Sequence, residues 1–297
     1  MGFRLNRQEP VGAGIARILN EELHVAMSSL REPETGIHEA RKSIKKLRAV
    51  MRLLEPRLGC LARAENAILG EAGRALSAAR DGEAVVEILD ILATGQKSQA
   101  VLRSLAALRR RFGTGPTEPV DVAPVRRTLA EVGARVSEWP LLPESFGGLG
   151  DGLRETYRQG RRALAEVAES PTSETFHALR KRVKDHWYQV RLMEGVWAEA
   201  EPRELELREL QEYLGQDHDL TLLEERTNLV PTLQAVVAQA RREYRAQAVA
   251  MAAVLYAEKS RDHVDRVHDL WSEWRDVRHA ERKGPSSANG RRRRQVA

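Results

Sequence analysis

The chain has 297 residues, enough for one large domain or two medium ones with a substantial core, and carries a net charge of +5 with 31% charged and 42% hydrophobic residues. No window approaches the ~18 consecutive apolar residues of a membrane span, the N-terminus lacks the apolar core of a secretory signal, and the single cysteine, Cys60, excludes an internal disulfide and suits a reducing cytoplasm. A moderately positive charge admits nucleic acid, a membrane surface or another polyanion and selects none of them.

Nearly every segment reads as helix. Leu, Ala, Arg and Glu dominate, and apolar residues recur at intervals of three and four. A first helix is expected over 11–30, stopped by the Arg31–Gly36 stretch, and a strongly basic one from about Ile37 to Leu54, ending at Pro56. Further helical stretches cover about 61–80 and 82–112, the latter with a possible break at Gly95, followed by a loop over 113–119. A short helix over about 124–138 leads into the richest run of breakers, Trp139 to Gly152, which is the expected boundary between two halves. The second half then repeats the order: a helix over 152–169, a start signal at Thr172 or Ser173, and a second basic helix to about Val196. A helix over 202–215 and a long helical pattern over 217–282 follow. The tail, 283–297, is basic and poor in apolar residues, and is expected to be disordered. Long helices joined by short loops predict an all-α fold of two helical bundles.

One pattern occurs twice. His38-Glu39-Ala40-Arg41-Lys42-Ser43-Ile44-Lys45 returns, 139 residues later, as His177-Ala178-Leu179-Arg180-Lys181-Arg182-Val183-Lys184; both read H-x-x-R-K-x-x-K. Of the eight lysines, five lie in these two segments: Lys42, Lys45, Lys46, Lys181 and Lys184. A second correspondence, Leu76 to Asp81 with Leu214 to Asp219, has an offset of 138. Two features in one order at nearly the same offset predict an internal duplication rather than a solenoid, whose repeats run to roughly 20–50 residues.

At roughly 100° per residue, His38, Arg41, Lys45, Arg48 and Arg52 share one stripe of the first basic helix, with Ala40, Ile44, Leu47, Met51 and Leu54 opposite. In the second, His177, Arg180, Lys184, Trp187, Tyr188 and Arg191 share the stripe, and Leu179, Val183, Val190 and Met193 oppose it. Glu39 and Asp185 project off these stripes, so neither helix is expected to neutralise its own stripe. Like charges stacked this way repel, and either acids of another helix or a bound anion must offset them. The paired copies and the concentration of lysine favour an anion, held by lysine point charges and arginine forks.

These residues resemble the CHAD domain, the conserved histidine α-helical domain. Tyr157-Arg158-Gln159-Gly160-Arg161-Arg162-Ala163-Leu164 is similar to the family's segment ahead of its second basic helix, and the 76–81 and 214–219 segments resemble its L-G-x-x-R-D turns. The likeness runs over about 10–282, with half one at about 10–140 and half two at about 150–282. It implies two pseudo-symmetric four-helix units around a basic central cavity that binds inorganic polyphosphate, in the cytoplasm and at polyphosphate granules, with granule-associated enzymes as possible partners. Polyphosphate also suits the charge pattern itself: it has about one charge per phosphate and no bases, so it needs no aromatic platform, and aromatics are 5% of the chain. The second copy departs from the first in having Asp185 opposite Lys46 and Trp187 opposite Arg48, and His218 stands where the turn pattern has arginine.

The expected polyphosphate ligands are therefore His38, Arg41, Lys42, Lys45, Lys46, Arg48, His177, Arg180, Lys181 and Lys184. Arg80 and His218 either extend the cavity or form loop ion pairs with their neighbouring aspartates. Arg158, Arg161 and Arg162 either line the site or face solvent, and Tyr188 either hydrogen-bonds phosphate or packs between helices. A nucleic-acid-binding protein using the same stripes is the alternative. No enzyme is expected: Glu204-Leu205-Glu206-Leu207-Arg208 imitates a metal-binding strand motif but lies in a helical pattern, Asp217-His218-Asp219 has no second metal-ligating cluster beside it, and no nucleophile or phosphate-loop motif occurs. No cofactor, metal or membrane partner is expected.

Overall fold

The structure is a computed structural model describing residues 2–113, 121–139, 142, 145–197 and 203–282, with backbone only at 34, 78–81, 197 and 276–282. The expected loop over 113–119 therefore lies outside the described residues beyond Gly113, as does the tail over 283–297.

Among the described residues every regular element is helical, so the chain is all-α: α1 Val11–Ser29, α2 Pro33–Leu58, α3 Cys60–Ala75, α4 Ala78–Ala93, α5 Gln99–Gly113, α6 Ala123–Ser137, α7 Gly147–Glu169, α8 Ser173–Leu192, the single turn α9 Glu194–Trp197, α10 Arg203–Arg226, α11 Pro231–Leu255 and α12 Ser260–Arg282. The basic helix α2 starts four residues earlier than its pattern suggested, because Pro33 occupies a first-turn position where no N–H is needed, and it carries Pro56 inside its last turn. The break near Gly95 is present, with Gly95 at φ +74° between α4 and α5. α8 begins as expected: Thr172 Oγ1 accepts from the Thr175 N–H at 3.3 Å, while Thr175 Oγ1 accepts in return from the Thr172 N–H at 3.0 Å.

The two L-x-x-x-(R/H)-D segments differ. In the first, the chain breaks between α3 and α4, where the Ser77 hydroxyl donates back to the Gly73 carbonyl at 3.1 Å. The second is no turn: α10 runs straight through 214–219, and the helices expected over 202–215 and from 217 are one.

α2 is the central strut. It packs against α1, α3, α7 and α8, while α7 packs against α8 and α12, α8 against α10, and α10 against α4 and α11. The crossing of α2 and α7 is set by Gly152, where a Cβ would lie 1.9 Å from the Leu53 carbonyl oxygen. The faces expected to be apolar are buried, including Ile44, Leu47, Met51 and Leu54 on α2 and Leu179, Val183 and Val190 on α8.

Among the described residues two apolar cores result, and neither follows the boundary at 140–150. The larger takes residues from α1, α2, α3, α6, α7, α8, α10, α11 and α12; the smaller joins Val85, Ile88 and Leu89 of α4 to Leu220 and Leu223 of α10 and Leu233 and Val237 of α11. The N-terminal segment belongs to the fold as well. Phe3 and Leu5 enter the larger core, the Leu5 N–H donates to Leu192 O at 2.7 Å, and Arg275 of α12 donates to the carbonyls of Arg7 and Glu9 at 3.0 Å each. The folded unit thus begins before residue 10.

Candidate functional site

Between α2, α3, α8 and the middle of α10 lies a cleft of about 450 Å³. α2 contributes Arg41, Lys45 and Arg48, α3 contributes Arg74, and α8 contributes His177, Arg180 and Lys181; His218 and Asp219 close it from α10 and Glu87 from α4. Gly70 and Gly73 leave α3 without side chains along this wall. A second compartment of about 460 Å³ opens off it, sharing Arg48, Gly70 and Arg74, and is lined by Arg52, Arg63 and Arg182 with Glu55, Glu71, Glu155, Asn66 and Gln159. A third depression, of about 380 Å³, adjoins the second through Glu155, Gln159 and Arg182 and carries Arg158 and Arg162.

The sequence-predicted residues divide accordingly. Arg41, Lys45, Arg48, His177, Arg180, Lys181 and His218 are brought together in the first compartment. Lys184 is half-buried within electrostatic reach of His218 but does not line it, and His38 is exposed outside it. Lys42 turns to Glu39 of its own helix at 3.0 Å, so α2 does supply one of its own counter-charges. Lys46 points the other way, to Glu22 of α1 at 2.6 Å and over the Phe3 ring at 5.3 Å. Tyr188 is buried edge-on against Phe3, and burial pushes its hydroxyl pKa up; it is a packing residue. The stripe on α8 therefore faces the cleft only near its start, because further along Phe3 covers Tyr188 and the start of α10 covers Trp187. There Trp187 donates to Glu204 at 3.0 Å and stacks with Arg191. Arg158 and Arg162 line the third depression, each paired along α7, with Glu155 at 2.7 Å and Glu166 at 3.0 Å. Arg161 is exposed on α7 and lines none of the three. The Arg80 side chain lies outside the described residues.

Four cleft arginines were absent from the expected ligand set. Arg63 and Arg74 recur with Asn66, Ala67 and Gly70 at helical spacing on α3, a signal visible in the sequence once α3 is drawn as a wheel. Arg52 lies on the α2 stripe, and Arg182 occupies a position that H-x-x-R-K-x-x-K leaves open.

The cations crowd one another. Burial lowers the Arg48 guanidinium pKa, and Arg52 lowers it further; burial likewise lowers Lys181, helped by Arg182, Arg52 and Arg48. His177 is held below the ordinary histidine value by burial and then by Lys181 and Arg180; His218 falls to about 3, by burial and then Arg180 and His177. Both imidazoles are therefore neutral at pH 7.

Beneath the second compartment Asp185 of α8 is buried, paired with Arg52 of α2 and, at 3.7 Å, with Arg182. Burial pushes its carboxyl up and the two guanidiniums pull it back. Asp217 faces away from the cleft, held by Arg245 at 2.7 Å and Arg241 at 3.4 Å, so Asp217-His218-Asp219 does not converge on one point. Among the described residues no group of three or more His, Cys, Asp or Glu could hold a metal ion, and no described helix is long and apolar enough to cross a membrane. Glu204 to Arg208 lie in α10, where the side chains cannot alternate as on a strand.

No curated protein and no solved structure matches the chain. A family model, that of the CHAD domain, matches residues 12–228, from the start of α1 to just past α10 and so across every helix that lines the cleft. The chain belongs to the CHAD-domain family.

Proposed function

We propose that this protein binds inorganic polyphosphate in the cleft between α2 and α8, as a binding module without catalytic activity. The observation that carries the reading is the crowding of Arg48, Arg52, Lys181 and Arg182 along one groove, where burial and then the neighbouring guanidiniums lower Arg48 and Lys181. Such a cluster is held at a cost unless an anion enters, and a linear polyanion with one charge per phosphate can meet successive cations along both compartments. Arginine forks match phosphate oxygens, and Lys45 and Lys181 add point charges.

We further infer that the two halves are a duplication arranged about this basic cleft. The packing order supports it: α1 on α2 and α6 corresponds to α7 on α8 and α12, and α2 on α3 with α4 on α5 corresponds to α8 on α10 with α10 on α11. In this reading α10 is the fused counterpart of α3 and α4. The biological role that follows is recruitment to polyphosphate granules in the cytoplasm, or organisation of enzymes there.

A competition assay tests the function. Labelled long-chain polyphosphate is displaced by RNA, duplex DNA or triphosphate at low and near-physiological salt, while phosphate release is followed. Selective retention of polyphosphate at the higher salt, with no release over hours, is the expected result. Equal displacement by RNA would favour a nucleic-acid-binding protein, and steady phosphate release would make the protein a hydrolase.

A further inference from the structure

One buried charged group beside the arginine compartment is an acid. Asp185 is 5% exposed, sits under the arginine compartment, and joins two helices: Arg52 Nη1 of α2 donates to its Oδ1, and Arg182 Nη1 of α8 lies 3.7 Å from its Oδ2. Arg182 is fixed from a second side, donating from Nη1 to Gln159 Oε1 of α7 at 2.6 Å. Both arginines keep other guanidinium nitrogens for the compartment that they line. By simple charge counting an acid here only weakens the attraction for a polyanion. Its position indicates the opposite effect, since two flexible guanidiniums held by one buried carboxylate present a fixed fork.

We infer that Asp185 is a positioning residue that holds Arg52 and Arg182 as a two-helix fork, and that this fork receives a phosphate of the bound polyanion in the arginine compartment. The inference rests on the polyphosphate reading and adds to it a second anchoring point beyond the histidine-lined cleft. It also gives the acid that departs from the first copy of the repeat a role in binding.

The test measures anisotropy of labelled polyphosphate on the full chain for wild type, Asp185→Asn, Arg52→Gln and the double variant, with helicity and urea midpoint recorded for each. Asp185→Asn makes the protein one unit more positive, yet it is expected to weaken binding about tenfold, as loss of one partner in a buried charge pair does. The slope of log affinity against log salt should become shallower by about one or two phosphate contacts. In the Arg52→Gln background the same substitution should cost less than about twofold, because the fork is already lost. A folded Asp185→Asn protein that binds as tightly as wild type or tighter, or an undiminished loss in the Arg52→Gln background, overturns the inference. Should Asp185→Asn fail to fold, Arg182→Lys keeps the charge and removes the fork: weaker binding supports the inference, and unchanged binding overturns it. Absence of polyphosphate binding by wild type would overturn the functional reading itself, which the variants alone would not.

Discussion

His177 of α8 and His218 of α10 meet with ring centroids 4.8 Å apart and ring planes inclined by 40°, two uncharged imidazoles beside Arg180 and Lys181. Arg41 and Lys45 of α2, Arg74 of α3, Glu87 of α4 and Asp219 of α10 line the same compartment. Burial first, and the neighbouring cations second, keep both rings neutral; a polyanion placed there offsets the cations, so the pKa values rise on binding and the complex holds more protons than the free protein. Affinity for polyphosphate should therefore increase as pH falls from 8 to 6, by up to about tenfold per unit for each histidine that titrates. Calorimetry in buffers of different ionisation enthalpy should register proton uptake, and the His177→Gln, His218→Gln double variant should abolish it. A pH-independent affinity in wild type would rule this coupling out.

The geometry separates cations that face the cleft from those that do not. Arg74→Glu, at the junction of the two compartments, should weaken polyphosphate binding at least tenfold and reduce the salt slope. Lys46→Gln, which breaks the contact with Glu22 instead, should change affinity by less than about twofold while lowering stability. A Lys46→Gln effect on log affinity half that of Arg74→Glu, in proportion to the one and two charges lost, would mean that net charge, not the cleft, governs binding.

Gly152→Ala should destabilise the fold by about 3 kcal/mol, since its methyl would overlap the Leu53 carbonyl and both partners are backbone of packed helices. Urea denaturation measures this directly, and a midpoint equal to that of wild type would mean that α2 and α7 can part freely.

Acid should loosen the protein through a buried cluster that does not line the cleft. His263 stacks on Tyr157 at 4.0 Å, and His186 Nδ1 lies 3.3 Å from the Tyr256 hydroxyl. Burial depresses both histidines, His263 to about 3. In the unfolded chain they titrate near 6.5, so as pH falls below that value the unfolded state takes up protons first and stability drops, by about 1.4 kcal/mol per pH unit for each. The loss begins near pH 6.5 and continues towards pH 3. Urea midpoints between pH 7 and pH 5 should fall accordingly, and His263→Gln should flatten the slope by one proton; a slope unchanged by that substitution would show that His263 is not responsible.

Much of this was legible in the chain. The apolar faces of α2 and α8 could be read from spacing, because Ile44, Leu47 and Val183 have nowhere to go but inward. The cleft residues Arg41, Lys45, Arg180 and Lys181 followed from the repeated motif. Periodicity assigns a residue to a face but does not say what covers that face. Lys46 and Tyr188 were lost to the cleft because Phe3, more than forty residues from Lys46 in sequence, packs beside them both. Asp185 read as a defect in the second motif because its partner Arg52 is 133 residues away on another helix. The continuity of α10 was hidden by Gly215, which breaks patterns more readily than it breaks a helix anchored at Asp217 by two arginines.

Both cores draw on both halves of the chain, and this bears on how the protein is made. When α4 leaves the ribosome, Val85, Ile88 and Leu89 find only Val101 and Leu105 of α5 beside them, because Leu220, Leu223 and Leu233 are synthesised more than a hundred residues later. α2 meets α1 and α3 early but waits about a hundred residues for α7 and longer for α8. The nascent first half can pack α1, α2, α3 and α6 on one another but leaves part of its apolar surface exposed, and closure is complete only after synthesis reaches α12, whose Arg275 fastens the N-terminal segment. A chain cut between 140 and 150 should give two pieces that complete their cores only by meeting.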